Sequence, residues 1–284
     1  MIRNPSDADL PQLQALWKEA FGDSEEDTAH YFKHRHQHEN MLIFLNGNEV
    51  TAMLSLLPVE LVTPEKTEKA RYIFAVATKK NHRGQGISTK LLDAAHQSIK
   101  SEGGAAGILV PAESSLFVFY EKRGYRTAFY IDEAKRNAKD LPSPHQEDSI
   151  EVCGAEDYLI MRDSLCKSNA MFVRWGIEAL TYIKNSFERA GGAMFRMSVN
   201  GKPALAVCAP YGNEVQVTEL LCDKEYLDRC LALIHSQMKA DSYLVRTPQG
   251  RQNKGFARPF GMIHWLKEPL ESEGEPPYLS FAKD

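Results

Sequence analysis

The first 152 residues of this 284-residue chain contain no cysteine, and the five in the second half, Cys153, Cys166, Cys208, Cys222 and Cys230, form no Cys-x-x-Cys pair. That spacing excludes a disulfide scaffold and a zinc ribbon, and it reads as reduced thiols in a core. Long apolar runs are missing too: no window approaches the roughly 20 residues of a membrane helix. The opening MIRNPSDADL lacks the apolar centre of a secretory signal. A cytoplasmic protein off the membrane is the expectation. Charge of one sign is scarce, with 34 Lys and Arg against 38 Asp and Glu for a net of -4. A nucleic-acid coat needs a strong basic excess, so no nucleic-acid partner is expected.

What remains is an ordinary globular composition, 43% hydrophobic and 25% charged, long enough for two domains. Leu10, Leu13, Leu16, Trp17 and Phe21 recur at helical spacing, with Asp7 or Asp9 as the cap. Met41 to Leu45 and Val50 to Leu57 read as strands turning at Asn46-Gly47-Asn48. Tyr72 to Thr78 is a short buried strand, Ile87 to Ile99 an amphipathic helix, Ile108 to Val110 a further strand, and Ser114 to Lys122 a last helix closing at Gly124. Residues 132–149 are polar with two prolines and read as the boundary between domains at 1–135 and 150–284.

The second half repeats this order. Phe195 to Val207 turns at Asn200-Gly201, Val215 to Leu221 stands where Tyr72 to Thr78 stood, Leu227 to Met238 matches the amphipathic helix, and Tyr243 to Pro248 matches the strand after it. The expected fold is α/β (α+β), a mixed central sheet with flanking helices, duplicated in two halves. One feature of the first half has no copy. Between strand and helix it carries Arg83-Gly84-Gln85-Gly86-Ile87-Ser88, whereas the second half carries Cys222-Asp223-Lys224-Glu225-Tyr226 and no glycine. A helix N-terminus offers unpaired amides and partial positive charge, and glycine lets an oxyanion approach them. Acids at the same place would repel it. The segment therefore reads as a phosphate or pyrophosphate cradle with Arg83 as a charged donor. The P-loop pattern is absent, and the third glycine of a dinucleotide fingerprint is replaced, since Ile87, Ser88 and Thr89 follow Gly86.

Arg83 to Ser88, following the strand Phe74 to Thr78, resembles the acetyl-CoA signature of the GNAT acetyltransferase superfamily, with Ser88 where that signature ends in glycine or alanine. Phe119-Tyr120-Glu121-Lys122-Arg123-Gly124-Tyr125 is similar to the superfamily's closing segment. Pro111 to Ser115 is similar to the branch that includes the enhanced-intracellular-survival acetyltransferases, whose first GNAT domain is followed by a degenerate second one. At 284 residues, that branch's sterol-carrier-like domain is not expected here.

The resemblance implies an acetyl-CoA-dependent N-acetyltransferase. Two parallel strands would part to admit the pantetheine arm, paired with the backbone of Phe74, Ala75 and Val76. The amides of Arg83, Gly84, Gln85, Gly86, Ile87 and Ser88 would hold the pyrophosphate, and Tyr120 would be the general acid toward the departing thiolate. Attack would be direct, because the first half has no cysteine for a covalent relay. The acceptor would be a small-molecule or peptide amine, less than about 0.1% neutral at pH 7 and so in need of a base. Glu60 and His82 are the candidates for that base. His30, His34, His36 and His38 read as a solvated helix end, with no metal expected. A non-catalytic acyl-CoA sensor is the alternative reading, and a homo-oligomer is compatible with either.

Overall fold

The computed structural model describes residues 1–252 and 256–281. The chain forms two compact units. The first comprises residues 1–61, 67–126 and 262–269; the second comprises 62–66, 127–261 and the remainder. The first unit runs β1 (Ile2–Arg3), α1 (Leu10–Phe21), α2 (Glu25–His34), β2 (Met41–Asn46), β3 (Glu49–Val62), β4 (Thr67–Thr78), α3 (Ile87–Ser101), β5 (Ala106–Leu109) and α4 (Ser114–Glu121). The second runs β6 (Arg126–Asn137), β7 (Ser149–Val152), α5 (Ala155–Leu165), β8 (Phe172–Trp175), α6 (Ile177–Arg189), β9 (Ala193–Val199), β10 (Lys202–Tyr211), β11 (Glu214–Leu221), α7 (Leu227–Gln237), β12 (Ser242–Pro248) and β13 (Phe256–Trp265).

Both units hold a mixed sheet flanked by helices, in a common order. In the first, β2 and β3 form an antiparallel hairpin at Gly47, and β4 pairs β5 in parallel. In the second, β9 and β10 form the antiparallel hairpin and β11 pairs β12 in parallel. The outer neighbour of β5 is the antiparallel end of β13, with Met262 opposite Leu109 and Trp265 opposite Ala106. The chain's last strand thus completes the sheet of the first unit. β12 is flanked instead by β6, with Pro248 opposite Ile131 and Ser242 opposite Asn137.

One local expectation changes. The polar residues Asp132 to Asn137, read as linker, are the second half of β6. Their charges are satisfied across the ladder, Glu133 by Arg246 and Arg258, so the segment needs no apolar run to be a strand. Asp9 is the N-cap of α1, as expected, and a 3-10 turn over Asp7–Asp9 capped by Ser6 precedes it; the Asp9 carboxylate accepts from the Ser6 amide at 2.7 Å and from Arg3 at 2.8 Å. The five cysteines are buried free thiols. Among the described residues no helix is long and apolar enough to cross a membrane.

The core of the first unit sits between α3 and the sheet. Ile87, Leu91, Leu92, Ala95 and Ile99 bury one helix face against Leu54, Leu56, Ile73 and Leu109. Each of the buried Leu and Ile side chains contributes about 1.5–3 kcal/mol. This packing fixes the start of α3 at the end of β4.

Candidate active site

β4 and β5 pair only at Arg71 opposite Gly107 and Tyr72 opposite Ile108. β5 then ends at Leu109, while β4 continues to Thr78. From Ile73 onward β4 has no parallel ladder with β5, so the two strands part and leave backbone groups of Phe74 to Thr78 facing a split. In the middle of that stretch Ala75 takes φ 54°. A non-glycine residue in this region costs on the order of 1 kcal/mol and turns its flanking peptides out of the ladder. The strain lies at the place where Phe74, Ala75 and Val76 were expected to meet a pantetheine arm.

Beyond Thr78 the chain makes a 3-10 turn at Lys80–His82 and then enters α3. Gly84 and Gly86 take φ 77° and 73°, and a Cβ at either would meet no atom within 4 Å. Gly86 is the N-cap, no side chain caps the helix, and its first turn carries no acid. Gln85 and Gly86 are exposed, Ser88 is half-buried, and Ile87 is buried in the core. The result is an open, uncapped helix N-terminus that favours an anion. Arg83 is exposed and its Nε donates to the Thr78 carbonyl at 3.1 Å, which holds the guanidinium on the rim of this loop.

Tyr120 lies on α4 with 7% of its surface exposed, in one hydrophobic cluster with Ile73, Ile87 and Leu109, against which Val76 packs. The structure therefore brings together Tyr120, the edge of the split and the first residue of α3. Burial pushes the Tyr120 hydroxyl up to about 12, with the nearby Arg123 charge pulling the other way. Its hydroxyl makes no hydrogen bond among the described residues. Phe74 points elsewhere: its ring lies 5.9 Å from Trp17 and 6.1 Å from Tyr31, on the face covered by α1 and α2. Trp17 and Tyr31 stack at 4.1 Å, so this side of the split is an aromatic wall.

The two expected bases lie on β3 and in the 3-10 turn before α3. His82 Nε2 stands 3.5 Å from Glu49, which also takes Lys79 at 2.7 Å. Glu60 is half-exposed on β3. Sequence reasoning passed over Arg123, whose Nε donates to Thr89 Oγ1 at 3.0 Å while its plane lies 3.5 Å over the Phe119 ring. It ties α4 to the first turn of α3. The signal was present, because a charged residue within an aromatic helix end has few ways to be half-buried without such partners.

Residues 1–128 match the family described as acetyltransferase (GNAT) domain. The likeness by family model thus covers the first part of the chain, 128 of its 284 residues. No curated protein matches the chain by sequence. Among solved structures it resembles a GCN5-related N-acetyltransferase from Kribbella flavida at TM-score 0.74 and 16% identity, over 95% of this chain and 73% of that one. A GCN5-related N-acetyltransferase from Anabaena variabilis matches at 0.72 and 14%, covering 93% and 72%. Eis1 from Mycobacterium abscessus matches at 0.68 and 12%, covering 93% and 73%. At these identities the likeness is one of fold.

Proposed function

We propose that the first unit binds acetyl-CoA in the split between β4 and β5 and transfers its acetyl group to a primary amine by direct attack. The observation that carries this reading is the loss of the β4–β5 ladder after Tyr72 and Ile108, continued without interruption into the open glycine turn before α3. The Gly84, Gln85, Gly86, Ile87 and Ser88 amides would hold the diphosphate, and the Val76 amide would face the thioester carbonyl. A preorganised donor to the oxyanion in a dry cleft is worth about 3 kcal/mol to such a step.

In the tetrahedral intermediate the nitrogen–carbon bond has formed, and the carbon–sulfur bond then breaks with the electron pair leaving on sulfur. Tyr120 would donate to that sulfur. A hydroxyl near 12 is a weak acid beside a thiol near 8.5, so proton transfer accompanies bond cleavage, and orientation matters as much as acidity. Calorimetry with acetyl-CoA, followed by an amine panel read out through released thiol, tests the proposal. No heat of binding would remove it. Binding without thiol release for any amine would favour an acyl-CoA sensor.

A further inference from the structure

Arg123 carries a charge that no carboxylate among the described residues neutralises. Its Nε and Nη2 donate to Thr89 Oγ1 at 3.0 and 2.6 Å, its Nη1 donates to the Phe119 carbonyl at 2.6 Å, and the guanidinium lies 3.5 Å over the Phe119 ring. Hydroxyl, carbonyl and ring are all neutral. Other half-buried arginines of the chain are paired, Arg71 with Glu102, Arg229 with Asp148 and Arg246 with Glu133. A half-buried guanidinium without an anion costs free energy, so its place calls for a reason.

The reason lies one turn back on the same segment. The Arg123 amide donates to the Tyr120 carbonyl at 2.8 Å, and the planar fork of the side chain fixes the charge between the end of α4 and Thr89 in the first turn of α3. Tyr120 itself is buried in a hydrophobic cluster, its ring 5.1 Å from Phe119 and 5.6 Å from Tyr125. In such surroundings an unpaired cation acts further than it would in water. The Arg123 charge is what opposes the effect of burial on the Tyr120 hydroxyl.

We propose that Arg123 is a positioning residue that holds its charge beside Tyr120 to stabilise the phenolate formed when Tyr120 protonates the departing thiolate; the proposal rests on the acyltransferase reading above. In the step, the carbon–sulfur bond breaks with its electron pair on sulfur, the Tyr120 O–H bond breaks and an S–H bond forms. A phenolate left in an apolar cluster is costly by itself, and less so beside a fixed guanidinium. Tyr120 regains a proton from water, balanced by the proton that the acylated nitrogen releases to water. Nothing is oxidised or reduced. A merely structural tie between α4 and α3 would behave differently. It would matter as much without the Tyr120 hydroxyl as with it, whereas a charge that serves the phenolate has no task once the hydroxyl is gone.

The test follows the single-turnover rate of acetyl transfer in the full chain, with acetyl-CoA and an amine that the panel finds. Arg123→Gln should slow transfer about 10-fold when Tyr120 is present and less than about 2-fold in a Tyr120→Phe background, while acetyl-CoA affinity stays within about 3-fold. Arg123→Lys keeps the charge without the fork and should bring the rate back to within about 3-fold of wild type. Should Arg123→Gln not fold, Thr89→Val removes the acceptor of Nε and Nη2 and should slow transfer about 3-fold, again only where Tyr120 is present. Equal losses in the two backgrounds, an unchanged rate in Arg123→Gln, or Arg123→Lys as slow as Arg123→Gln overturns the proposal. A larger loss of affinity would put the guanidinium on a coenzyme phosphate instead, and that too overturns it. Wild-type failure to bind acetyl-CoA, or to release thiol with any amine, would overturn the acyltransferase reading itself, and calorimetry and the thiol assay on the wild type tell the two apart.

Discussion

The imidazoles of His96 on α3 and His264 at the end of β13 lie face to face, with ring centroids 4.1 Å apart and planes at 4°. His96 Nε2 is also 2.8 Å from the hydroxyl of Tyr125, whose ring is 5.6 Å from that of Tyr120. Burial, and secondarily the His264 charge, lower His96 to about 4. Its unfolded value is near 6.5. Between these limits the unfolded chain binds more protons than the folded one, so stability falls as pH falls from about 6.5 toward 4. His36, also held down to about 4, acts in the same direction. For His96, 8% exposed, the loss across the window is on the order of 2–3 kcal/mol. Urea midpoints at pH 7 and pH 5 measure it, and His96→Gln should flatten the slope. A midpoint that is constant over this range would contradict the pairing.

Tyr120→Phe separates transferase from sensor. The hydroxyl makes no hydrogen bond among the described residues, so its removal should leave the melting temperature within about 2 °C and acetyl-CoA affinity within a few-fold. Turnover should fall by about 100-fold. Because the hydroxyl sits near 12, any alkaline limb seen below pH 10 must belong to another group and should survive the substitution. Unchanged turnover would take the acid role away from Tyr120.

Much of this arrangement could be read directly from the chain. Ile87, Leu91, Leu92, Ala95 and Ile99 announce α3 by period, and Asn46-Gly47 announces the hairpin by turn chemistry. Both signals are local. The β4–β5 split was anticipated through the glycine turn and the resemblance it carries, not from the strands themselves: nothing in Tyr72 to Thr78 alone says where a ladder stops. The pairing of β13 with β5 joins residues more than 150 positions apart, and no periodicity reports it. A hydrogen-bonded row from His36 through His38 to Asp7, where a solvated helix end was expected, was missed for a related reason. Asp7 is 31 residues from His38, and an i, i+2 histidine pair faces one way only after the turn beyond α2 has formed.

Gly86 tests the cradle. At φ 73° a valine is strained by roughly 1–2 kcal/mol, and its side chain would enter the open space before α3. Gly86→Val should weaken acetyl-CoA binding at least about 10-fold. Gly22, at φ 71° after α1 and equally free of neighbours, supplies the control: Gly22→Val carries the same backbone strain away from the turn. It should lower stability and leave affinity alone. Equal affinities for the two variants would mean that no phosphate sits at Gly86.

In the second unit the parallel pair also ends early, and a buried charge cluster lies just beyond. β11 and β12 last pair at Val217 opposite Val245, and two residues on stands Glu219, fully buried. Its carboxylate accepts from Arg162 Nε at 3.1 Å, from the Tyr278 hydroxyl at 2.8 Å and from the Tyr158 hydroxyl, while Arg162 also donates to Val173 O and Ser280 Oγ. The α7 N-terminus, unlike that of α3, has an acid in its first turn, which would repel a diphosphate. One acetyl-CoA per chain should therefore appear in calorimetry. Glu219→Ala strands a buried guanidinium and should cost about 3–5 kcal/mol, whereas Arg162→Met combined with Glu219→Gln, which removes the charge pair together, should cost much less. If the double variant proves as unstable as the single, the pair is not coupled. If the wild type binds two coenzyme molecules, the acid at the start of α7 does not exclude the second.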